Sequence, residues 1–252
     1  MRLFLLLIAL VCSPLSSPAQ KKAQVGDWVL FRGTTEAGTR TAEITQRYAI
    51  VASEKDGEGT QLFWFETDIG MAGKNILTRL LVPASAFELD SLVSPDFYQT
   101  VRRWIVKMGE RPAIELPPER AQQQVQALLE RHDPDAKTTA LGDTILETPK
   151  GKLRCAERRY EGKAVSERRH GPAVTETAYT YDRTIWHSDE VPIIGYARLE
   201  EDGLREVAVD ALAPGAPAPP PQKTHTRIDL VDFGQGATSA LTEDPVQHPM
   251  AE

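Results

Sequence analysis

The stretch QLFWFETDI, residues 61–69, decides the fold. Its bulky aromatic and branched residues predict a strand. Successive strand side chains point to opposite faces, so Leu62 and Trp64 share one face while Phe63 and Phe65 share the other. Both faces are apolar. Residues 75–82 (NILTRLLV) repeat the pattern, with Ile76, Leu80 and Val82 opposing Leu77 and Leu81. A strand that is apolar on both faces must be covered on both, by a helix, a second sheet or a ligand.

Upstream, residues 26–32 start a strand and residues 41–52 form another with a single apolar face. Ala42, Ile44, Tyr48, Ile50 and Ala52 lie on that face, against Thr41, Glu43, Thr45 and Arg47. The polar tract Glu54-Lys55-Asp56-Gly57-Glu58-Gly59 then predicts a hairpin. Downstream, residues 100–107 read as a strand. The periodicity predicts one helix, Pro118 to about Arg131, in which Ala121, Val125, Leu128 and Leu129 make a narrow stripe. Pro118 and Glu119 suit its first turn, Arg131 and His132 its last, and Asp133-Pro134 stops it. At about 1.5 Å per residue it spans roughly 20 Å, enough to lie as a lid on a sheet.

The second half reads as strands at 143–148, 152–161, 173–181, 183–187, 192–200, 204–212 and 226–233. Pro149-Lys150-Gly151, His170-Gly171-Pro172 and Glu201-Asp202-Gly203 punctuate them as turns. Half of residues 213–222 (APGAPAPPPQ) are Pro, so that segment predicts an extended surface insertion outside any sheet. Residues 238–252 read as a flexible tail. The expectation is a mainly β (α+β) domain over residues 20–237. Its core is one curved antiparallel sheet of about ten or eleven strands, a half-barrel with the helix in its concavity.

The N-terminus has a different logic. Met1-Arg2, the apolar run Leu3 to Val11 and the small, Pro-broken Ser13 to Ala19 have the layout of a secretory signal peptide over residues 1–19. The run is about half the roughly 20 residues that span a membrane. Bulky Val11 before Cys12 argues against a lipid anchor there. The chain carries a net charge of −7, and removing the leader's Arg2 leaves 28 Lys and Arg against 36 Asp and Glu, near −8. That balance disfavours nucleic acid as a partner, since binding it means neutralising phosphates. Without the leader Cys155 is the sole cysteine, so the fold has to hold without an internal disulfide. The expected location is periplasmic or secreted.

Candidate chemistry is sparse. His187-Ser188-Asp189-Glu190 resembles a hydrolase or metal constellation, but adjacent strand residues diverge and no Gly-x-Ser-x-Gly elbow accompanies it. It reads as a turn, with Pro192 opening the next strand. Cys155 reads as a buried, inert thiol rather than a reactive one. Arg158, Arg159, Arg168 and Arg169 offer peripheral membrane contact, or else form a solvated hairpin tip diluted by Glu157, Glu161 and Glu167. Phe63, Trp64, Phe65, Leu80, Leu81, Trp104, Val125 and Leu128 are the candidate lining of an apolar ligand site, with plain core as the alternative. No phosphate loop, Cys-x-x-Cys or acidic calcium loop points to a cofactor or metal.

Three motifs together are Gly26-Asp27-Trp28-Val29, Trp186-x-Ser188-x-x-Val191-Pro192-x-x-Gly195 and Phe233-Gly234-x-Gly236-Ala237. The set resembles uncharacterised exported bacterial proteins grouped with the curved-sheet lipoprotein-carrier (LolA-like) superfamily. The resemblance implies a half-barrel with helix in its concavity and no enzymatic activity. Carriers of that kind bind acyl chains in an apolar hollow, and the Pro-rich insertion departs from their pattern. The expected function is therefore an exported non-enzymatic protein binding a hydrophobic or lipidic ligand, with lipid or lipoprotein as partner. The alternatives are an envelope interaction or structural protein with a self-filled core and, third, a secreted hydrolase.

Overall fold

The computed structural model describes residues 23–88, 95–129, 133, 135–170, 173–209 and 219–247. Residues 1–22, which include the expected leader, residues 213–218 of the expected Pro-rich insertion and residues 248–252 of the expected tail lie outside that set. Six strands come first: β1 (Trp28–Ala37), β2 (Arg40–Lys55), β3 (Gln61–Met71), β4 (Lys74–Pro83), β5 (Arg103–Met108) and β6 (Ile114–Glu115). Five long ones follow: β7 (Lys137–Thr148), β8 (Gly151–His170), β9 (Ala173–His187), β10 (Tyr196–Val209) and β11 (Gln222–Gly234), then a short β12 (Val246–Gln247). A 3₁₀ turn (Ala84–Glu88), α1 (Pro95–Gln99) and α2 (Pro118–Leu129) complete the described elements.

All twelve strands join one open sheet, in the order β12-β6-β5-β4-β3-β2-β1-β11-β10-β9-β8-β7. The fold is the expected mainly β half-barrel. Two meanders build it: β1 to β6 runs outward to one edge, and β7 to β11 runs back from the other until β11 pairs antiparallel with β1. α2 lies on the connection from β6 to β7, which has to travel from one edge of the sheet to the other. Register shifts at Leu30/Phe31, Ile50/Ala52, Ala140/Gly142 and Tyr196/Arg198 mark bulges, which bend strands and raise their twist. Gly33 lets β1 lie close against β11: a Cβ there would lie 1.9 Å from the Arg227 carbonyl oxygen.

The two apolar faces of β3 and β4 have two different covers. Phe65, Leu80 and Val82 pack with Phe87 of the 3₁₀ turn, Phe97 and Tyr98 of α1, Trp104, and Ala121 and Val125 of α2. Leu62, Trp64, Leu77 and Leu81 pack on the other side with Ile105, Ala113 and Leu241. The segment expected as a loose tail thus docks through residue 247. Glu66, buried on that outer face, anchors it by accepting from the Ser239 hydroxyl and from the Ala240 amide at 2.9 Å. Lys107 and Glu243 pair at 2.7 Å, and β12 then adds to β6 in parallel. A two-faced strand needs its second cover, and this segment supplies it.

Two further expectations need correction. Residues 192–195 are a turn rather than the start of a strand, and Ile193 takes φ 66°. Glu201-Asp202-Gly203 is not a turn, because β10 runs straight through it, just as β9 runs through Asp182. In both places a polar pair faces something specific. Glu201 points at Arg183, and Asp182 accepts from Arg159.

Candidate functional site

The inner face of β8 to β11 carries a polar cluster in an otherwise apolar interior. Strand alternation puts Tyr179, Tyr181, Arg183, Ile185 and His187 of β9 on one face. Their cross-strand neighbours include Tyr160, opposite Arg183 on β8, and Gly203, opposite Tyr181 on β10. The two glycines in this region make room for the rings. A Cβ on Gly203 would lie 2.2 Å from the Tyr179 hydroxyl oxygen, and one on Gly162 would lie 2.5 Å from that of Tyr181.

At the centre Arg183 Nε donates to Glu201 Oε2 at 2.6 Å, with Nη2 of the same guanidinium 2.5 Å from that oxygen. The side chains of Arg183 and Glu201 are only 4% and 1% exposed. The Tyr179 hydroxyl donates to the other carboxylate oxygen, Oε1, at 2.7 Å and lies 3.2 Å from Thr224 Oγ1. Burial, aided by the Glu201 charge, pushes the Tyr179 phenol well above its ordinary value, so it stays a donor. The guanidinium stacks over the Tyr181 ring at 4.8 Å. Both oxygens of Glu201 are engaged, and none of these groups stands as an open acid or base.

His187 is held as firmly. Its Nε2 lies 3.0 Å from the Tyr160 hydroxyl, and the ring also bonds the Gly195 carbonyl. A carbonyl can only accept, so the ring donates there through Nδ1 and Nε2 accepts from Tyr160, which is the neutral tautomer. Burial, with the Arg158 guanidinium nearby, lowers its pKa to about 4 from 6.5. Between those values the unfolded chain binds a proton that the folded one refuses, so stability rises with pH through this window and is lost as pH falls below 6.5. At roughly 1.4 kcal/mol per pH unit the full window is worth on the order of 3 kcal/mol. Thermal melts at pH 7, 6 and 5 should show the midpoint falling, and His187→Gln should flatten the fall. Parallel curves for the two proteins would refute this assignment of the proton.

The His187-to-Glu190 stretch is the turn its pattern predicts. The Ser188 amide donates to Gly195 O at 3.0 Å and the Val191 amide to Ser188 O at 3.2 Å. The turn folds inward. Val191 joins the core of β8 to β11 and Ile193 joins the aromatic cluster under α2, so this loop ties the two halves together. His187 and Ser188 do not form a catalytic pair: His187 turns to Tyr160, while the Ser188 hydroxyl neighbours the Cys155 thiol. Cys155 is buried, and burial, with Glu190 nearby, raises its thiol to about 11, the inert state. No group of three His, Cys, Asp or Glu among the described residues could hold a metal ion.

The predicted lining divides. Phe63, Phe65, Leu80, Trp104 and Val125 come together on the inner face, whereas Trp64 and Leu81 lie on the outer face under Leu241. Leu128 falls among the residues whose side chains are not described. The inner five meet Phe87, Phe97 and Tyr98, from two short helical segments that sequence periodicity does not reveal. Phe97 is edge-on to Phe65, Phe87 and Tyr98, with centroids 5.8, 5.9 and 5.5 Å away, and Tyr98 stacks on Trp104 at 5.8 Å. An open cleft of about 530 Å³ lies elsewhere, between the ends of β2, β3 and β4, lined by polar residues that include Glu43, Arg47, Asp68 and Asn75. None of the predicted lining borders it.

Within the basic stretch Arg158 and Arg159 diverge. Arg159 is bound in two bonds to Asp182, and Arg158 turns to the Tyr160 hydroxyl. The side chains of Arg168 and Arg169 are not described. The first and last motifs meet as a clasp: the Ala237 amide donates to Gly26 O at 2.9 Å, and Gln235 Nε2 donates to Asp27 Oδ1 at 2.8 Å.

No family model matches the chain, and no curated protein matches it. Among solved structures it is similar to a candidate exported protein with a YmcC-like fold from Bacteroides fragilis NCTC 9343. The two are 9% identical, with a TM-score of 0.38, and the match covers 86% of this chain and 99% of that one. Function has to be argued from the site itself.

Proposed function

We propose that this is an exported, non-enzymatic envelope protein that closes the hollow of its sheet with its own side chains and works through its outer surfaces. The observation that carries the reading is the aromatic plug. Phe97 is 0% exposed, and with Phe87 and Tyr98 it occupies the place where an acyl chain would lie against Phe65, Leu80 and Trp104. The engaged state of Glu201, His187 and Cys155 supports a role without catalysis. Export rests on the leader layout of residues 1–19.

One observation favours the hydrophobic-ligand reading implied by the lipoprotein-carrier resemblance. The Trp104 indole N–H is buried and has no hydrogen-bond partner among the described residues. A ligand carbonyl could accept from it, provided the plug moved aside. Solvent extraction of purified protein followed by mass spectrometry, together with titration of an environment-sensitive apolar dye, separates the two. We expect no stoichiometric lipid and no saturable dye signal. A defined lipid recovered at about one per chain would overturn the self-filled reading.

A further inference from the structure

The two edges of the sheet are unlike. One ends in β6 and β12, two residues each, and is blunt. The other is β7, twelve residues long, with β8 on one side and no strand on the other among the described residues. Long bare edges are normally blunted by Pro, by lysines along the strand, by bulges or by a cover, because their free N–H and C=O groups template pairing, and β7 has only one of these within it, the bulge between Ala140 and Gly142. β7 (KTTALGDTILET) has no Pro, and its single Lys stands at the end. It also exposes apolar side chains, Ile145 at 67% and Leu141 at 50%.

We propose that two copies of this chain pair antiparallel through β7, about a two-fold axis at Gly142. The charges choose this partner and direction. Lys137 and Glu147 stand five residues either side of Gly142; each is well exposed and held within its own chain only by a long surface pair, to Glu161 at 3.6 Å and to Lys152 at 3.3 Å, so an antiparallel copy sets each Lys137 against the other chain's Glu147, twice, at little cost in existing contacts. The same register brings Ile145 over Thr139. Parallel pairing would oppose Lys to Lys and Glu to Glu, which destabilises a sheet. Asp143, the third charge of the strand, is held more closely in its own chain, by Arg154 at 2.8 Å. The bulge at Leu141 lies beside the axis, where Gly142 (φ 125°) has no Cβ to obstruct a neighbour. The contact is independent of what fills the hollow.

Strand-to-strand contacts are at the small end of specific interfaces, so a dissociation constant on the order of micromolar or weaker is expected. Sedimentation equilibrium of the purified protein over roughly 1 to 300 µM should show a monomer–dimer equilibrium. Lys137→Glu and Glu147→Lys should each weaken it about tenfold, and the double variant should restore it. Ile145→Lys should abolish it, with the melting midpoint of the monomer unchanged since the side chain is exposed. A protein monomeric throughout, a double swap no better than either single, or a dimer that survives Ile145→Lys would each overturn the proposal.

Discussion

Glu201→Ala is expected to lower the thermal unfolding midpoint by roughly ten degrees. The substitution leaves the Arg183 guanidinium in a site where its side chain is 4% exposed, and it strips the Tyr179 hydroxyl of its 2.7 Å acceptor. Removing one partner of a buried ion pair costs about 3–5 kcal/mol, because the survivor is a buried charge that has lost its counterion. For a chain of this size each kcal/mol shifts the midpoint by about 2–4 °C. The cost is the penalty of breaking the pair, not its net worth. Replacing both members, Arg183→Met with Glu201→Met, should therefore recover most of the loss. Circular dichroism melts of the three proteins at pH 7 decide it. A Glu201→Ala midpoint within about two degrees of wild type would mean that Arg183 finds water or another acceptor and that the pair does not hold the interior together.

The same pair shows where the sequence was legible and where it was not. Residues 61–69 reveal a two-faced strand because alternation alone assigns Leu62 and Trp64 away from Phe63 and Phe65, and the structure keeps them on opposite faces. The helix from Pro118 was legible because its stripe repeats over three turns. Glu201-Asp202-Gly203 misled because local composition favours a turn, and only the distant Arg183 makes a buried Glu affordable at that place. Gly203 is there for the Tyr179 ring, which is likewise a long-range reason. The 3₁₀ turn and α1 span five residues each, too few to show a period, yet they carry Phe87, Phe97 and Tyr98. Trp64 and Leu81 part from Phe65 for a local reason. Their spacing already separates them, since alternation puts Trp64 and Leu81 on the face opposite Phe65. Nothing in residues 238–247 beyond a single Leu241 announces that they cover a sheet face. The need is visible only from the other side, in the second apolar face of β3.

Phe97→Ala tests the plug from the inside. Phe97 touches Phe65, Phe87 and Tyr98 at ring-centroid distances of 5.5 to 5.9 Å, so truncation removes a hub rather than a rim. Loss of a fully buried Phe costs about 3–5 kcal/mol, the larger figure applying where the surroundings cannot collapse. β3, β4 and β5 are fixed by their ladders on this inner face, and Leu241 covers the outer one, so little collapse is open to them. The cavity left should be dry and apolar, and such cavities bind small apolar molecules. A self-filled hollow and a ligand-binding one then predict opposite signs. If the hollow is closed by its own side chains, the variant is less stable and gains saturable dye binding that wild type lacks. If the hollow serves a lipid, wild type binds the dye and the variant, having lost a wall, binds it less tightly. Calorimetric melts with parallel dye titrations of the two proteins read both quantities, and a variant that loses binding would reverse the functional reading.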